Sequence, residues 1–464
     1  MLTEQRANEI FATIKNHASC DDVEVLIGGG RNALTRFANN TIHQNVAEEN
    51  YIASIRAVFG QRTARSMTNK LDDESLRRAV QAAENLARVQ QPNPDMLPMA
   101  TPEEAGMRQA GTSAPSRHFE ATAAITPSDR AQAVGRMVQI AKAQRLTAAG
   151  IYSTSESVEA LLNSRGVARF HRQTSAEISV TMLAGDSSGW QKANSPDFRN
   201  LNPEALAETA ARKARESAHP KEIPAGKYTV VLEPAAVLDL LGFLFWDWGG
   251  LAILDQRSFL TNRVGTKLFG ENISIVDDAY HPLQSGTPYD GEGVQRQRVQ
   301  LVDSGVVQGL VYSRASAAMM KKSEHAQGVG AIRPTGHGFP LPNEIGEMPM
   351  NIVLVPAPGE RRTVEQMIAS TERGVLVTRL WYIREVEPYE KILTGMTRDG
   401  TFYIENGKLQ YGVRNFRFNQ GMVQLLQNVE QMSEPVRASG EESFDMVVPA
   451  MKVRDFNFTE VTKF

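Results

Sequence analysis

The sequence predicts an α+β protein: an N-terminal half of two helix–strands–helix modules, then a β-rich C-terminal domain, sandwich-like or barrel-like. Three observations carry this. A pattern of helix, strands and capped helix occurs twice. A proline-rich stretch without sustained period separates the copies. Beyond residue 223 the apolar residues fall in short alternating runs closed by hairpin turns. The boundaries read as 1–89 for the first module, 90–117 for the linker, 118–222 for the second module and 223–464 for the β-rich domain.

In the first module Ala7, Ile10, Phe11, Ile14 and Ala18 recur at helical spacing. Val23 to Ile27 reads as a buried strand ended by Gly28-Gly29-Gly30, and Tyr51, Ala53, Ile55, Ala57 and Phe59 alternate along a longer strand. Leu76, Ala79, Val80, Ala83, Leu86 and Ala87 form the apolar face of a second helix, with Asp72 or Asp73 as its cap. The order returns about 130 residues later. Val134, Met137, Val138 and Ala141 make a helical stripe, Gly150-Ile151-Tyr152 lies in a strand, and Ile178, Val180 and Met182 alternate. Leu201 to Leu206 then matches Leu71 to Leu76, with Asn202 as cap and Pro203 at the first helical position. The linker, with Pro92, Pro94, Pro98, Pro102 and Pro115, is a spacer or a strap across the surface.

In the second half, Lys227 to Glu233 starts the β-rich region. One hairpin is centred on Asp303-Ser304-Gly305 and another on Glu405-Asn406-Gly407, where Asn-Gly suits the left-handed backbone of a tight turn. Asn351 to Val355 and Gly374 to Leu380 read as buried strands; Ala315 to Lys322, Val364 to Thr371 and Asn419 to Met432 read as short helices.

Composition narrows the function. The 464 residues carry 50 basic and 53 acidic side chains, without the basic excess or stripe of a nucleic-acid binder, so direct nucleic-acid contact is not expected. Cys20 is the only cysteine, which excludes an intramolecular disulfide and a cysteine-rich zinc site. The first residues lack the apolar core of a secretion signal, and the most apolar stretch, Val237 to Leu254, is interrupted by Asp239 and Asp247. A soluble cytoplasmic protein is expected, with no membrane partner.

The search for chemistry yields two candidates. The eight histidines include no His-Glu-x-x-His or His-Glu-x-x-x-His arrangement, and no Gly-x-Ser-x-Gly or phosphate-binding loop occurs. No catalytic or metal-ligating residue is therefore assigned. The segment Leu240 to Gly250, apolar on nearly every face, has helical length; a core helix is its ordinary reading, an aromatic ligand or subunit contact the alternative. Its aspartates need partners, because a buried unpaired carboxylate is costly. The second candidate is the glycine-rich loop Lys322 to Glu344, with His325, Arg333 and His337. Long glycine-rich loops in compact domains are often functional, and Arg333 can grip a peptide carboxylate bidentately. A surface loop without ligand is the plain alternative.

The order of Asp290-Gly291-Glu292-Gly293, the run Arg298 to Tyr312 and the run Phe402 to Lys408 resembles the TldD/TldE (PmbA) family. Arg36-Phe37-Ala38-Asn39-Asn40 and the helix after Leu71 share in the resemblance, which reaches from the opening helix to Asn419. It implies a cytoplasmic metallopeptidase system, also called modulator of DNA gyrase, acting on unfolded or short peptides. TldD-type chains carry His-Glu-x-x-x-His after a strand and a later cysteine ligand; TldE-type chains lack them and pair with the TldD type. Here the corresponding place holds Gly242 to Asp247, so Gly242, Phe243 and Asp247 stand where His, Glu and His are expected, and the C-terminal half has no cysteine. The resemblance thus implies a TldE-type chain without its own cofactor, a pseudo-site or interface helix at Gly242, Phe243, Trp246 and Asp247, zinc in a TldD-type partner chain, and a shared peptide chamber. Homodimers are allowed as well. An autonomous peptidase of the same family and a gyrase-modulating binding protein are the alternatives.

Overall fold

In the computed structural model, which describes residues 1–107, 115–326, 329–359 and 361–462, the chain begins with Thr3 accepting the amide of Arg6. That cap opens α1 (Glu4–His17), which buries Ala7, Ile10 and Ile14. Three strands follow, β1 (Asp22–Ala38), β2 (Thr41–Phe59) and β3 (Arg62–Thr68), and then α2 (Asp73–Val89). Asp72, not Asp73, caps α2 by accepting the Ser75 amide. The second copy runs α3 (Glu120–Ala123), α4 (Pro127–Ala143), β4 (Thr147–Asn163), β5 (Ala168–Leu183), β6 (Ser188–Ser195) and α5 (Pro203–Glu216), the last capped by Asn202.

The two copies fuse into one antiparallel sheet, ordered β3-β2-β1-β4-β5-β6. β1 and β4 pair at its centre from Glu24↔Asn163 to Phe37↔Gly150, so the copies meet strand to strand. α1 and α2 cover Val25, Ile27, Ile55, Val158 and Ala160, while α4 and α5 cover Phe37, Tyr152, Ile178 and Val180. The strand expected to stop at Gly28-Gly29-Gly30 runs straight through. Gly29 and Gly30 have φ of 143° and 152°, and a Cβ on either would fall 2.1 or 2.0 Å from a carbonyl oxygen of β2 or β4. These glycines let one strand pass tightly between two others rather than turn.

The C-terminal region contributes β7 (Gly226–Leu232), β8 (Ile273–Asp277), β9 (Val299–Asp303), β10 (Val306–Val307), β11 (Ile352–Pro356), β12 (Arg373–Val377) and β13 (Leu380–Glu387). It continues with β14 (Ile392–Thr397), β15 (Thr401–Glu405), β16 (Lys408–Gly412), β17 (Phe416–Gly421), β18 (Val429–Met432), β19 (Val436–Ala438), β20 (Met446–Val448) and β21 (Met451–Val461). Its helices are α6 (Pro234–Leu241), α7 (Gly250–Leu254), α8 (Arg314–Met320), α9 (Val364–Ala369) and α10 (Met422–Gln427). The strands form a sheet of order β10-β9-β8-β11-β20-β19 and a larger one of order β13-β14-β17-β21-β7-β12-β15-β16, with β18 on β21. One apolar core joins both sheets, through Ile275 and Leu301 on one side and Leu232, Phe416, Phe418 and Phe456 on the other. α6 touches β7 and β13 of the larger sheet and β19 and β20 of the smaller.

Both expected hairpins form. Ser304 and Gly305, and Asn406 and Gly407, all take positive φ, as a tight two-residue turn requires. The helix expected over 419–432 shrinks to α10, because β17 and β18 take its flanks; Phe416, Phe418 and Gln420 alternate inward at period two. The proline-rich linker is a strap: Ala100 and Ala105 pack with Leu161, Val167 and Tyr289, tying the N-terminal sheet to the C-terminal domain. Residues 108–114 of it lie outside the described part.

Candidate functional site

Glu233 precedes α6 with Pro234 at the first helical position, and its carboxylate receives Lys213 Nζ at 2.6 Å. The helix does not continue to Gly250 as the sequence suggests. It ends at Leu241, tightens into a 3₁₀ turn over Gly242–Asp247, and resumes as α7 after Gly249. Close approach explains the glycines. A Cβ on Gly242 would lie 1.8 Å from Ser443 Oγ, one on Gly249 2.8 Å from the Glu347 carbonyl oxygen, and one on Gly250 2.3 Å from the Tyr312 ring.

Within the turn the aromatic side chains part company. Phe245 and Trp248 are fully buried with ring centroids 5.6 Å apart, and Trp248 Nε1 donates to the Gly309 carbonyl at 2.9 Å. Phe243 is half-buried against the core, whereas Trp246 is 55% exposed. Asp247 finds the partner its burial demands: Lys391 Nζ lies 3.0 Å from Oδ2 and 2.7 Å from Glu385. Burial pushes the Asp247 carboxyl above the ordinary carboxylate range, with the Lys391 charge opposing the shift. These residues do not fit a zinc ion. Gly242 and Phe243 offer no ligand, and the Asp247 oxygen that faces a charge is committed to Lys391. Among the described residues, no three His, Cys, Asp or Glu side chains gather in a way that could hold a metal.

A loop connects this turn to a cleft of about 1030 Å³ between the β5–β6 turn and the near end of the larger C-terminal sheet. Asp239 of α6, fully buried, accepts the backbone amides of Glu441 and Glu442 at 3.2 and 3.0 Å, and Glu441 reaches into the cleft. Arg379 lies at the cleft's base, with its guanidinium 4.5 Å from the Trp190 ring centre and 5.3 Å from that of Trp381. Its Nη1 donates to Asp399 at 2.6 Å, and its Nε, sealed from solvent, has no hydrogen-bond partner among the described residues. Arg398 covers Trp381 from 4.7 Å. The cleft wall thus combines Trp381, Arg398 and Arg379 with the acidic side chains of Asp186, Asp399 and Glu441, and Trp190 is packed behind Arg379. Sequence reasoning missed it. The signal was Arg379-Leu380-Trp381, whose outer pair shares one strand face, but Trp190 is too distant in sequence to be joined to it by pattern.

The glycine-rich loop disperses its candidates. Arg333 is exposed and forms no hydrogen bond or ion pair among the described residues; His325 sits half-buried in a short 3₁₀ turn; residues 327–328 lie outside the described part. Only His337 enters a cavity, a pocket of about 360 Å³ between the N-terminal sheet and the loop. Its side chain is fully buried, with Nδ1 3.0 Å from Thr335 Oγ1 and Nε2 3.0 Å from Asp277 Oδ1. Burial raises the Asp277 carboxyl, but His337, Arg296 and the Asn351 amide more than offset it and hold it below the ordinary range. Asp277 and Arg296 were not singled out in the sequence, which gives no local sign that either meets His337.

Comparison with known proteins follows this geometry along the chain. Models of the PmbA/TldA metallopeptidase family match residues 23–87 as domain 1, 120–218 as the central domain and 225–460 as the C-terminal domain. The chain is 21% identical over 408 residues to the metalloprotease PmbA of Escherichia coli O157:H7, covering 84% of this chain and 83% of that one. It is 24% identical over 358 residues to a metalloprotease of Methanothermobacter thermautotrophicus, covering 71% and 73%. In fold it is similar to TldE from Thermococcus kodakarensis, with TM-score 0.83, 20% identity, and 98% and 100% of the two chains covered. A candidate modulator of a DNA gyrase from Thermotoga maritima superposes with TM-score 0.82 at 20% identity over 98% and 100%. With family models matched over all three regions, the chain belongs to the PmbA/TldD metallopeptidase family.

Proposed function

We propose that this chain is the non-catalytic, TldE-type subunit of a two-chain cytoplasmic peptidase system. A TldD-type partner supplies the zinc and the activated water, and unfolded or short peptides are the substrate. One observation carries the reading: the segment where the metal motif is expected is filled by packing, with Gly242 closed over by Ser443 and Asp247 paired to Lys391. The cleft beside it, with Arg379 between two tryptophans, supplies a wall against which an extended peptide lies. No helix among the described residues is long and apolar enough to cross a membrane.

The test combines the full chain with a TldD-type chain from the same cell. Alone, this chain leaves unfolded protein and short peptides intact and holds no stoichiometric zinc. Together, the two chains co-purify and cleave peptides, and a chelator stops the cleavage. Chelator-resistant hydrolysis by this chain alone would make it an autonomous enzyme. Co-purification with gyrase in place of a TldD-type chain would favour the gyrase-binding alternative.

A further inference from the structure

The pocket at the seam between the N-terminal sheet and the C-terminal domain has no role in the reading above. Its walls are largely apolar: Leu26, Val158, Tyr289, Phe339, Pro340 and Met350 contribute. Against this lining stands Arg296, a polar side chain without a hydrogen-bond partner among the described residues. The guanidinium of Arg296 donates no hydrogen bond among the described residues, and its Nε and Nη1 are sealed from water. His337 on the same wall is already paired, its Nε2 3.0 Å from Oδ1 of Asp277, which lies behind the pocket lining. Native interiors seldom leave a guanidinium without hydrogen bonds, so Arg296 on a largely apolar pocket wall marks a place where a ligand supplies the acceptor. Asp290 accepts the amides of Glu292, Val294 and Gly338, and Asp277 and Glu159 feel the charge of Arg296 but accept no hydrogen bond from it among the described residues.

We infer that this pocket binds an apolar residue bearing a free α-carboxylate, held by Arg296, with its side chain against the apolar wall. A guanidinium with unspent donors in a mostly apolar cavity selects a carboxylate on a hydrophobic body. Two sources share that chemistry, the carboxyl-terminal residue of a short peptide and a free apolar amino acid. Glu159, which lines the pocket and whose side chain makes no hydrogen bond among the described residues, faces an α-ammonium in the second case. The volume of about 360 Å³ accepts a residue as large as leucine or phenylalanine. The inference rests on the peptide reading only for where such a ligand comes from.

Gly28 provides a clean probe. A Cβ there meets no atom within 4 Å, so a side chain at this position grows into the pocket. The test uses the full chain alone, by calorimetry, with leucine, N-acetylleucine, leucinamide and the dipeptide Ala-Leu. Leucine or a carboxylate-bearing derivative binds with Kd below about 1 mM, and leucinamide binds at least about tenfold more weakly. Leucine binding better than N-acetylleucine and Ala-Leu identifies the free amino acid as the ligand; the reverse order identifies a peptide terminus. Gly28→Leu abolishes binding, and Arg296→Gln weakens it at least about tenfold while the melting temperature stays near that of the parent. Equal binding of leucinamide, full binding by either variant, or no binding of any probe overturns the inference. Because no partner chain is present, these outcomes are separate from success or failure of the two-chain cleavage assay.

Discussion

Asp239 shows how one buried side chain couples the helix that leads into the Gly242–Asp247 turn to the cleft. Gly440 lies so close that a Cβ on it would fall 2.1 Å from Asp239 Oδ1, and the neighbouring amides donate to that oxygen. Oδ2 has no hydrogen-bond partner among the described residues, and burial pushes the carboxyl up to about 7, with the two amides opposing. The unfolded chain titrates this group near about 3.9. Between those values the folded protein holds a proton that the unfolded chain releases, so the contribution to stability falls as pH rises. The penalty is absent below the ordinary carboxylate range and complete above about 7. Asp239→Asn keeps an acceptor for both amides and removes the titration. Its melting temperature, relative to the parent, is expected to rise from pH 5 to pH 8, by an amount worth about 1–3 kcal/mol. Parallel curves for the two proteins across that range would show that Asp239 does not titrate there.

At the scale of elements, the 3₁₀ turn sorts four aromatic residues that a helical reading treats as one apolar surface. Trp248 is enclosed by Phe245, Phe259 and Phe269, so Trp248→Ala is expected to cost about 3–5 kcal/mol, read as a fall in melting temperature. Trp246→Ala, at a half-open position, is expected to stay within about 0.5 kcal/mol and instead to weaken capture of a TldD-type chain. A large loss of stability with Trp246→Ala and none with Trp248→Ala would reverse this assignment. The sequence made much of the elements readable where the cause is local. Asp72 and Asn202 cap helices through amides three residues on, and Ser304-Gly305 and Asn406-Gly407 carry their own turn geometry. It hid what depends on distant partners. Gly29 and Gly30 look like a turn until the carbonyls of Asn50 and Glu156 are placed beside them, and Asp247 shows its need for a partner but not that Lys391 meets it. The site followed the same rule: that Gly242 and Phe243 offer no metal ligand is legible in the residue types, whereas the Arg379 cleft and the Arg296 pocket are assembled from segments far apart in the chain.

At the scale of the molecule, the N-terminal sheet is held to the C-terminal domain by buried charge as well as by apolar packing. Arg314, at the start of α8, donates to the Pro98 carbonyl at 2.8 Å and to Glu104 at 2.9 Å, and its Nη1 lies 3.3 Å from Glu292. One guanidinium therefore fastens the strap to the loop that frames the seam pocket. Burial raises the Glu292 carboxyl, and Arg314 is the main group opposing that shift. Arg314→Met keeps the bulk and leaves a buried carboxylate without its charge, a change that costs about 3–5 kcal/mol where such pairs are broken. Arg165 offers the contrast. It reaches Asp22 at 2.8 Å on the same side of the molecule, but it is 39% exposed, so Arg165→Met is expected to cost at most about 1 kcal/mol. Limited proteolysis separates the two changes. The Arg314 variant is expected to be cut in the strap near residues 98–107 under conditions that leave the parent and the Arg165 variant whole. Its deficit should shrink at acid pH, where the buried Glu292, its carboxyl raised by burial, and then the more exposed Glu104, held low, take up protons and no longer need the lost charge. If both variants melt together and resist protease equally, the strap is held by Ala100 and Ala105 in their apolar seat, and the ion cluster only fills the space beside them.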